Sequence, residues 1–440
     1  MEGSIHGDHM TNGLLGTRRT ITMQHVPANH LEGLKGTNSN WEYRDLANAY
    51  QARLNMGKLK DPIGTRFIHW VYRDIGKKMI FGMEPDKAHD FTVSNCHRIS
   101  GITPFMDLLH DITDNDNTCM STIAMGLEYG NPFGLAAGMD KKGQLLTILD
   151  AAGFGFCSYG SMTARPCEGN PKPWYHRYPE YTSLGVHAGI PNDGCDTVLQ
   201  SADSMPTPYH AVRHASIAFT NTSYTGTDAM IEDFLVGIQK TMDSQADVCE
   251  INISCPNLMA GKPFRDPKLV DELFTEVDKI CGAPARKEHL VEHTALPNGM
   301  EAAPEHRKPV LVKMPNATRE ELDTLASVLN GHDVQGLALC NLLEEKDEYP
   351  AAINEPGGLS GKPCSNPALE AVRFIREHYG PRFAIEGVGG VMTPMDALTM
   401  MDAGADLVGF VTTLMYNGPQ MASEFKTAYQ GAMEHLTVNQ

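Results

Sequence analysis

The spacing of apolar residues changes along the chain and divides it into regions. Residues 1–47 are rich in Gly, Asn, Thr and His and lack apolar periodicity, which predicts an irregular or disordered leader. From about Asn48 to Ser100, apolar residues recur at three- and four-residue intervals, which predicts helices, one of them from Pro85 to about Ile99. We therefore assign residues 48–120 to a helical extension.

The helical extension carries an apolar stripe with basic neighbours. Phe67, Trp70, Ile75 and Met79 belong to this stripe, and Lys and Arg residues surround it. Such a stripe usually faces the core of its own domain, which is the interpretation that we favour. Trp, Phe and basic side chains are also typical of a helix at a membrane surface, so a peripheral membrane contact through residues 48–100 stays open.

Beyond Gly130, short apolar runs alternate with helix-like stretches. The runs are Phe133–Gly138, Phe156–Ser161, Ala215–Thr220, Asp247–Pro256, Pro309–Pro315, Gly336–Asn341, Phe383–Gly390 and Asp406–Leu414. Strands that alternate with helices in this number predict an α/β fold, a (β/α)₈ or TIM barrel, over residues 121–440. A doubly wound open sheet is the alternative, but the first run is not followed by the GxGxxG turn of that fold.

Two connections between the predicted strands are long. Residues 163–215 show little helical pattern, and their Pro, Gly and Asn content predicts a structured excursion over the barrel mouth. Residues 281–308 are polar and contain Pro and His, which predicts a surface insertion.

Composition excludes several classes of protein. The chain has 440 residues and 41% hydrophobic content, enough for a full core, and its net charge of −18 argues against nucleic-acid binding. Ten cysteines show neither CxxC pairs nor a zinc spacing, so we expect reduced thiols and no metal. We see no signal peptide or transmembrane helix, so we expect a cytoplasmic protein or one peripheral on an intracellular membrane.

The predicted strand ends carry the candidate chemistry, because barrels build their active sites there. The stretch EINISCPN brings Asn252, Cys255 and Asn257 to the end of the fourth strand. Glycine turns at the last two strands open onto helix starts that favour a phosphate, although such turns are more often only tight turns. With Lys313 on the fifth strand and the small residues 136–138 on the first, they describe a flavin mononucleotide (FMN) site.

These motifs together resemble the dihydroorotate dehydrogenase family, from about Asp61 to the C-terminus. The motifs are NPFGLAAGMDKKG at 131–143, GFGFCSYGSMTARPCEGNPKPW at 153–174, NISCPN at 252–257, PVLVKMP at 309–315, GGLSGKP at 357–363 and IEGVGGVMTPMDAL at 385–398. The resemblance implies an FMN-dependent dehydrogenase acting on a C–C bond beside a carbonyl. Its leading substrate is dihydroorotate, which is oxidised to orotate in pyrimidine biosynthesis.

The resemblance also implies roles for individual residues. Cys255 would be the base that removes a proton beside the carbonyl, while a hydride leaves for flavin N5. Substrate would contact Lys141, Asn252, Asn257 and Asn341. FMN would contact Ala136, Ala137, Gly138, Gly160, Ser161, Thr220, Asn221, Asn252, Lys313, Ser360, Gly361, Gly389, Gly390, Val411 and Thr412. A thiol can act as a base if its surroundings favour the thiolate, whereas the commonest role of a free cysteine is a small buried hydrophobe.

The chain departs from the family at the substrate side. Val186 and Leu342 stand where the family has an asparagine and a Ser or Thr, and His187 is a candidate replacement for the missing amide. We therefore keep a paralogue acting on a less polar cyclic amide or enone as an alternative, and a non-catalytic flavin-binding scaffold as another. The family features are mixed, so quinone, fumarate and oxygen stay open as electron acceptors, as does a homodimer.

Overall fold

Eight parallel strands close into a barrel in a computed structural model of the chain. The structure describes residues 46–56, 63–113, 120–281, 308–350, 353 and 356–438. The strands are β1 (Thr122–Ala124), β2 (Leu127–Tyr129), β3 (Phe133–Asp140), β4 (Phe156–Met162), β5 (Tyr175–Tyr178), β6 (Ser183–Val186), β7 (Val212–Ile217), β8 (Val248–Asn252), β9 (Val310–Lys313), β10 (Gly336–Leu339), β11 (Gly358–Gly361), β12 (Ala384–Val388) and β13 (Leu407–Phe410). The barrel order is β3, β4, β7, β8, β9, β10, β12 and β13, which confirms the predicted (β/α)₈ barrel.

Helices follow the barrel strands and also precede the barrel. The α-helices are α1 (Leu46–Asn55), α2 (Ile63–Val71), α3 (Lys77–Phe81), α4 (Pro85–Ser100), α5 (Thr103–Thr113), α6 (Leu146–Ala151), α7 (Cys195–Asp203), α8 (Thr227–Met242), α9 (Pro267–Cys281), α10 (Arg319–Asn330), α11 (Ser365–Tyr379), α12 (Pro394–Asp402), α13 (Thr412–Asn417) and α14 (Met421–Val438). A π-helical turn, Tyr72–Gly76, joins α2 to α3. The helix that the sequence predicts from Pro85 is confirmed as α4.

The third predicted strand is displaced toward the N-terminus. We expected it at residues 215–220, whereas β7 spans Val212–Ile217. Arg213 and His214 interrupt the apolar run in the sequence, although both side chains are buried in the folded chain. Thr220 therefore lies beyond the strand end rather than on it.

The long connection between β4 and β7 contains regular structure. Strands β5 and β6 pair antiparallel, and β6 also pairs with β11, which gives a three-stranded sheet. This connection also holds α7, so the expectation of little helical pattern is wrong there. The predicted leader up to residue 45 and nearly all of the 281–308 insertion lie outside the described residues.

The hairpin β1–β2 packs against the barrel at the end where the strands begin. Its Tyr129 and Ala124 contact a buried apolar layer that includes Phe156, Val212 and Val248, which lie at or near the starts of their strands. Because this layer closes one end of the barrel, the opposite end, where the strands finish, is the place left for a site.

The helices before the barrel dock on it through apolar and polar contacts, since Leu46 and Ala49 of α1 belong to the buried core. Both carboxylate oxygens of Asp402, at the end of α12, accept the backbone N–H groups of Leu46 and Ala47 at 3.2 and 3.1 Å. The predicted boundaries at residues 47 and 120 stay a prediction. Within the described residues, no helix is long and apolar enough to span a membrane.

The apolar stripe of these helices lies largely on the surface. Phe67, Trp70, Ile75 and Met79 are all exposed. The interpretation that the stripe faces its own core is therefore wrong for these side chains.

A buried histidine joins α9 to the loop before β10. His332 lies between two carboxylates, with Nδ1 at 2.8 Å from Asp278 and Nε2 at 3.0 Å from Asp271. Burial lowers the pKa of His332, but the hydrogen bonds to both aspartates raise it more, so the net shift is upward. Its stabilising effect is therefore fully present below the unfolded pKa of about 6.5 and is lost as the pH rises through the folded value.

We expect His332→Gln to lower the free energy of unfolding by about 1 to 3 kcal/mol near pH 6, with a smaller loss near pH 9. Chemical unfolding of both proteins at the two pH values measures this difference. His97→Gln, an exposed histidine on α4, is the matched control and should show no pH-dependent loss. An equal loss for His332→Gln at both pH values would contradict the charge-based explanation.

Candidate active site

A large cavity opens where the barrel strands end. Its volume is about 1180 Å³, including the open mouth, and strands β6 and β11 of the small sheet form part of its wall. Most of the predicted site residues line it. They are the catalytic candidate Cys255, then Lys141, Asn252, Asn257, Asn341, Val186 and Leu342 of the substrate set, and Ala137, Gly138, Gly160, Ser161, Lys313, Ser360, Gly361, Gly389, Gly390, Val411 and Thr412 of the cofactor set.

Two predicted cofactor residues on the loop after β7 lie outside the cavity wall. The backbone N–H and the hydroxyl of Thr220 both donate to the Asp233 carboxylate, at 2.6 to 2.9 Å. The Asn221 amide donates to the carbonyl of Gly189 and accepts the N–H of Met259. These side chains position the loops around the cavity instead of facing it.

Two more predicted residues also lie behind the wall. His187 accepts a hydrogen bond from the Asn170 amide at 3.3 Å and lies 3.4 Å from Asn257 Oδ1. His187 therefore does not occupy the position of the amide that it was expected to replace. Ala136 is buried in β3, beneath the cavity-lining Ala137.

Lys313 is the buried cation at the cavity wall. Its side chain is 5% exposed, and Nζ donates to the carbonyl of Ala137 at 3.2 Å. A buried ammonium group seldom occurs without a partner, so this position suits an anionic or strongly polar ligand.

The glycine turn after β12 fits a phosphate group. Gly389 and Gly390 have φ values of 123° and 71°, and a Cβ at Gly390 would lie 2.1 Å from Ser365 Oγ at the start of α11. A 3-10 turn, Lys362–Cys364, runs directly into α11, and the N–H of Ser365 donates to the carbonyl of Lys362, so the first N–H group of this helix is already bonded. The hydroxyls of Ser360 and Thr412 lie 2.8 Å apart on the same wall.

Ser254 organises two of the predicted amides. Its hydroxyl donates to Asn252 Oδ1 at 2.7 Å and accepts from Asn341 Nδ2 at 2.8 Å. We did not assign Ser254 a role from the sequence, although its place between Asn252 and Cys255 in NISCPN was the available signal. Asn257 is held differently, because its amide donates to the backbone carbonyl of Val186 at 3.0 Å.

The Cys255 thiol faces the cavity from a half-buried position. Burial raises the pKa of this thiol to about 11, while the backbone N–H of Asn257 and the charge of Lys313 lower it in part. The surroundings therefore favour the thiol over the thiolate, contrary to the condition that a cysteine base needs. Any base role requires a substrate-bound environment or a reaction that proceeds from a small thiolate fraction.

Lys141 has an aromatic environment that no sequence motif indicated. Its Nζ donates to the hydroxyl of Tyr175, which also lines the cavity, and lies 5.8 Å from the centre of the Trp174 ring. Tyr175 belongs to β5, and no motif in the sequence indicated that this strand reaches the site.

Three ionisable side chains meet inside the barrel below the cavity. One ligand atom from each of His214, Glu250 and Glu386 lies within 4.8 Å of the others, and all three residues are buried. We expected no metal, yet the ligand types of this cluster are compatible with one. The signal that could have found it was a charged residue inside each of the strands β7, β8 and β12.

Comparisons with known proteins agree with the fold and the motifs. A family model described as "Dihydroorotate dehydrogenase" matches residues 119–433. A dihydroorotate dehydrogenase (quinone) of Polaromonas naphthalenivorans is 29% identical over 80% of this chain and 95% of that protein. One of Methylococcus capsulatus is 30% identical over 80% and 97%.

A solved structure shares the fold. The crystal structure of DHODH from Eimeria tenella in complex with ferulenol has a TM-score of 0.66 at 22% identity, over 82% of this chain and 95% of that one. The family match covers well over half of the chain. The chain therefore belongs to the dihydroorotate dehydrogenase family and is a flavin-dependent dehydrogenase.

Proposed function

We propose that the chain binds FMN and oxidises dihydroorotate to orotate, a step of pyrimidine biosynthesis. The observation that carries this proposal is the meeting of Cys255, Lys313 and the amides of Asn252 and Asn341 in one cavity beside a phosphate-compatible glycine turn. Removing two hydrogens from a C–C bond beside a carbonyl needs a base on one side and a hydride acceptor on the other. FMN, when bound, supplies the hydride acceptor.

Residues of the chain would remove the proton, compensate charge, position the amides and bind the phosphate. Cys255 would take the proton from the carbon beside the carbonyl, and Lys313 would offset negative charge on the cofactor side. Ser254 would keep the amides of Asn252 and Asn341 in register, since it is bonded to both. The glycine turn after β12 and the hydroxyls of Ser360 and Thr412 would hold the phosphate.

A second candidate is a family member that acts on a less polar cyclic amide or enone. Val186, Leu342 and Leu184 form an apolar part of the cavity wall, and the Asn257 amide donates to a backbone carbonyl. A substrate carboxylate placed here would lack partners, at a cost of about 1 to 3 kcal/mol for each one. A non-catalytic scaffold is the third candidate, but it would have no need of a thiol at this position.

We also propose a quinone as the electron acceptor, with fumarate and oxygen as the alternatives. The relatives described above are named as quinone enzymes. The exposed side chains of Phe67, Trp70 and Ile75 beside Lys77 and Lys78 would touch the membrane surface that holds a quinone. The chain would then be a peripheral protein of an intracellular membrane.

Anaerobic mixing of the purified flavin-loaded chain with dihydroorotate or with its uncharged methyl ester distinguishes the three candidates. We expect prompt bleaching of the flavin by micromolar dihydroorotate, and Cys255→Ala to slow it by about 100-fold or more. Cys96→Ala is the matched control, because it removes another half-buried thiol, on α4, whose pKa burial also raises to about 11. Faster bleaching by the ester would favour the less polar substrate, and no bleaching by either compound or by other cyclic amides and enones would favour the scaffold.

The rate of flavin reduction should depend on pH through Cys255. The thiol pKa lies above neutral, so the thiolate fraction, and with it the rate, should rise about tenfold per pH unit between about pH 6 and 9. Anaerobic stopped-flow absorbance with saturating substrate measures this slope. Cys255→Ser should be slower throughout, because an alcohol is a weaker acid than a thiol. A rate plateau that begins near neutral pH would contradict a base with a raised pKa.

Flotation with vesicles that contain anionic lipid tests the membrane contact. The full chain should float, and the double variant Phe67→Glu/Trp70→Glu should float about tenfold less, because both exposed apolar side chains would carry charge. Ile123→Glu/Val236→Glu is the matched control, since these side chains are similarly exposed but lie outside the helices before the barrel. Equal flotation of all three proteins would contradict the proposed contact.

A further inference from the structure

A continuous line of hydrogen bonds runs from the cavity into the barrel core. Asn252 Nδ2 donates to Ser161 Oγ at 2.7 Å, and Ser161 Oγ lies 2.8 Å from Ser216 Oγ. Ser216 in turn donates to Glu250 Oε1 at 2.8 Å. Ser161 lines the cavity, whereas Ser216 and Glu250 are fully buried. A hydroxyl donates one hydrogen bond while accepting others, so the two serines can pass a proton between the cavity and Glu250.

The barrel register explains why these side chains meet. Gly160 of β4 pairs with Ser216 of β7, and Ser216 pairs with Glu250 of β8. Paired residues of neighbouring parallel strands point to the same face, so Ser216 and Glu250 both project into the barrel. Ser161 follows Gly160 directly and reaches the same hydroxyl from the rim.

The buried end of this line is a cluster of charges. His214 Nδ1 lies 3.5 Å from Glu386 Oε2, without a hydrogen bond between them, and His214 Nε2 lies 3.1 Å from the Tyr129 hydroxyl. Lys313 faces Glu250 from β9 and Glu386 faces it from β12. Two carboxylates, one lysine and one histidine that are buried close together cannot all change charge independently.

Glu250 is the member of the cluster whose pKa the surroundings shift upward. Burial raises its pKa and Glu386 raises it further, whereas Lys313, the Ser216 hydroxyl and His214 lower it. The net shift is upward, so the carboxylate is less readily ionised than an exposed glutamate. Negative charge placed in the cavity near Lys313 would reduce the stabilisation that the lysine gives and favour protonation of Glu250.

We infer that Glu250 is a proton acceptor connected to the cavity by hydrogen bonds through Ser216 and Ser161. We also infer that Glu250 takes up a proton when the bound flavin is reduced. This inference rests on the proposed flavin site. The proton comes from solvent in the cavity and bonds to Ser161 Oγ as the Ser161 proton moves to Ser216. The Ser216 proton then forms the O–H bond at Glu250 Oε1, so each serine loses and gains one proton.

A metal ion on His214, Glu250 and Glu386 is the competing explanation of the cluster. The positive charge of Lys313 nearby disfavours a divalent cation at this cluster. Protonation of the carboxylates would remove their charge without a metal ion. We therefore treat bound metal as an outcome of the test.

Spectroelectrochemical titration of the flavin-loaded chain over a pH series counts the protons taken up per flavin. We expect the wild-type chain to take up about one proton more than Glu250→Gln near neutral pH. An infrared band of a protonated carboxyl group should appear when the wild-type flavin is reduced. This band tests the inference without a variant, should Glu250→Gln fail to fold.

Two serine variants separate the proton path from general damage to the core. Ser216→Ala removes the link to Glu250, so proton uptake measured with an indicator dye should lag behind flavin reduction. Ser158→Ala is the matched control, because this hydroxyl is equally buried in β4 but has no hydrogen-bond partner among the described residues. It should keep wild-type proton uptake.

Four results would overturn the inference. Equal proton counts in the wild-type chain and Glu250→Gln would do so, as would the absence of the carboxyl band. A stoichiometric metal ion in the purified chain would also do so, because it would keep the carboxylates ionised. A chain that binds no flavin contradicts the proposed function and this inference together, whereas bound flavin with equal counts contradicts the inference alone.

Discussion

The burial of Lys313 inside a closed barrel is the constraint on which the site depends. A lysine at the end of β9 must be compensated, and Glu250 and Glu386 are the buried carboxylates whose charges reach that region. The compensation uses interior positions that most barrels fill with branched apolar side chains. Gly409 makes room for it, since a Cβ there would lie 2.5 Å from Glu386 Oε1. The core therefore gives up apolar packing to hold a charged wall beneath the cavity.

Much of the fold could be predicted because barrel strands that are buried on both faces appear in the sequence as short runs of apolar residues. The prediction was displaced where a buried polar residue breaks such a run, as Arg213 and His214 do at the start of β7. The sheet of β5, β6 and β11 could not be predicted as a whole, because β11 is far from β5 and β6 in the chain and its pairing with β6 is decided by tertiary structure. The helical stripe was assigned to the wrong side for a related reason, since periodicity identifies a face but not what covers it.

The candidate site was predictable where a motif follows a strand, because all strand ends meet at one rim. Cys255, Asn252, Asn341 and Lys313 converge in the cavity for this reason. Asn221, Thr220 and His187 carry equally suitable groups, but each is bonded to a neighbouring loop or helix. The residue type determines what a side chain can bind, whereas its hydrogen-bond partners in the folded chain determine whether it faces the cavity.

In the proposed function, the reaction type and the choice of substrate depend on different parts of the cavity wall. Asn252 and Lys313 are paired at the ends of barrel strands, whose register fixes their spacing, and Ser254, Cys255 and Asn341 follow these strand ends closely. Val186 belongs to the small sheet and Leu342 to the segment after β10, and neither is constrained by the barrel hydrogen bonds. Changes there alter the polarity of the cavity wall without disturbing the strand ends. The same barrel can therefore keep its chemistry while the group it accepts beside the reacting bond changes.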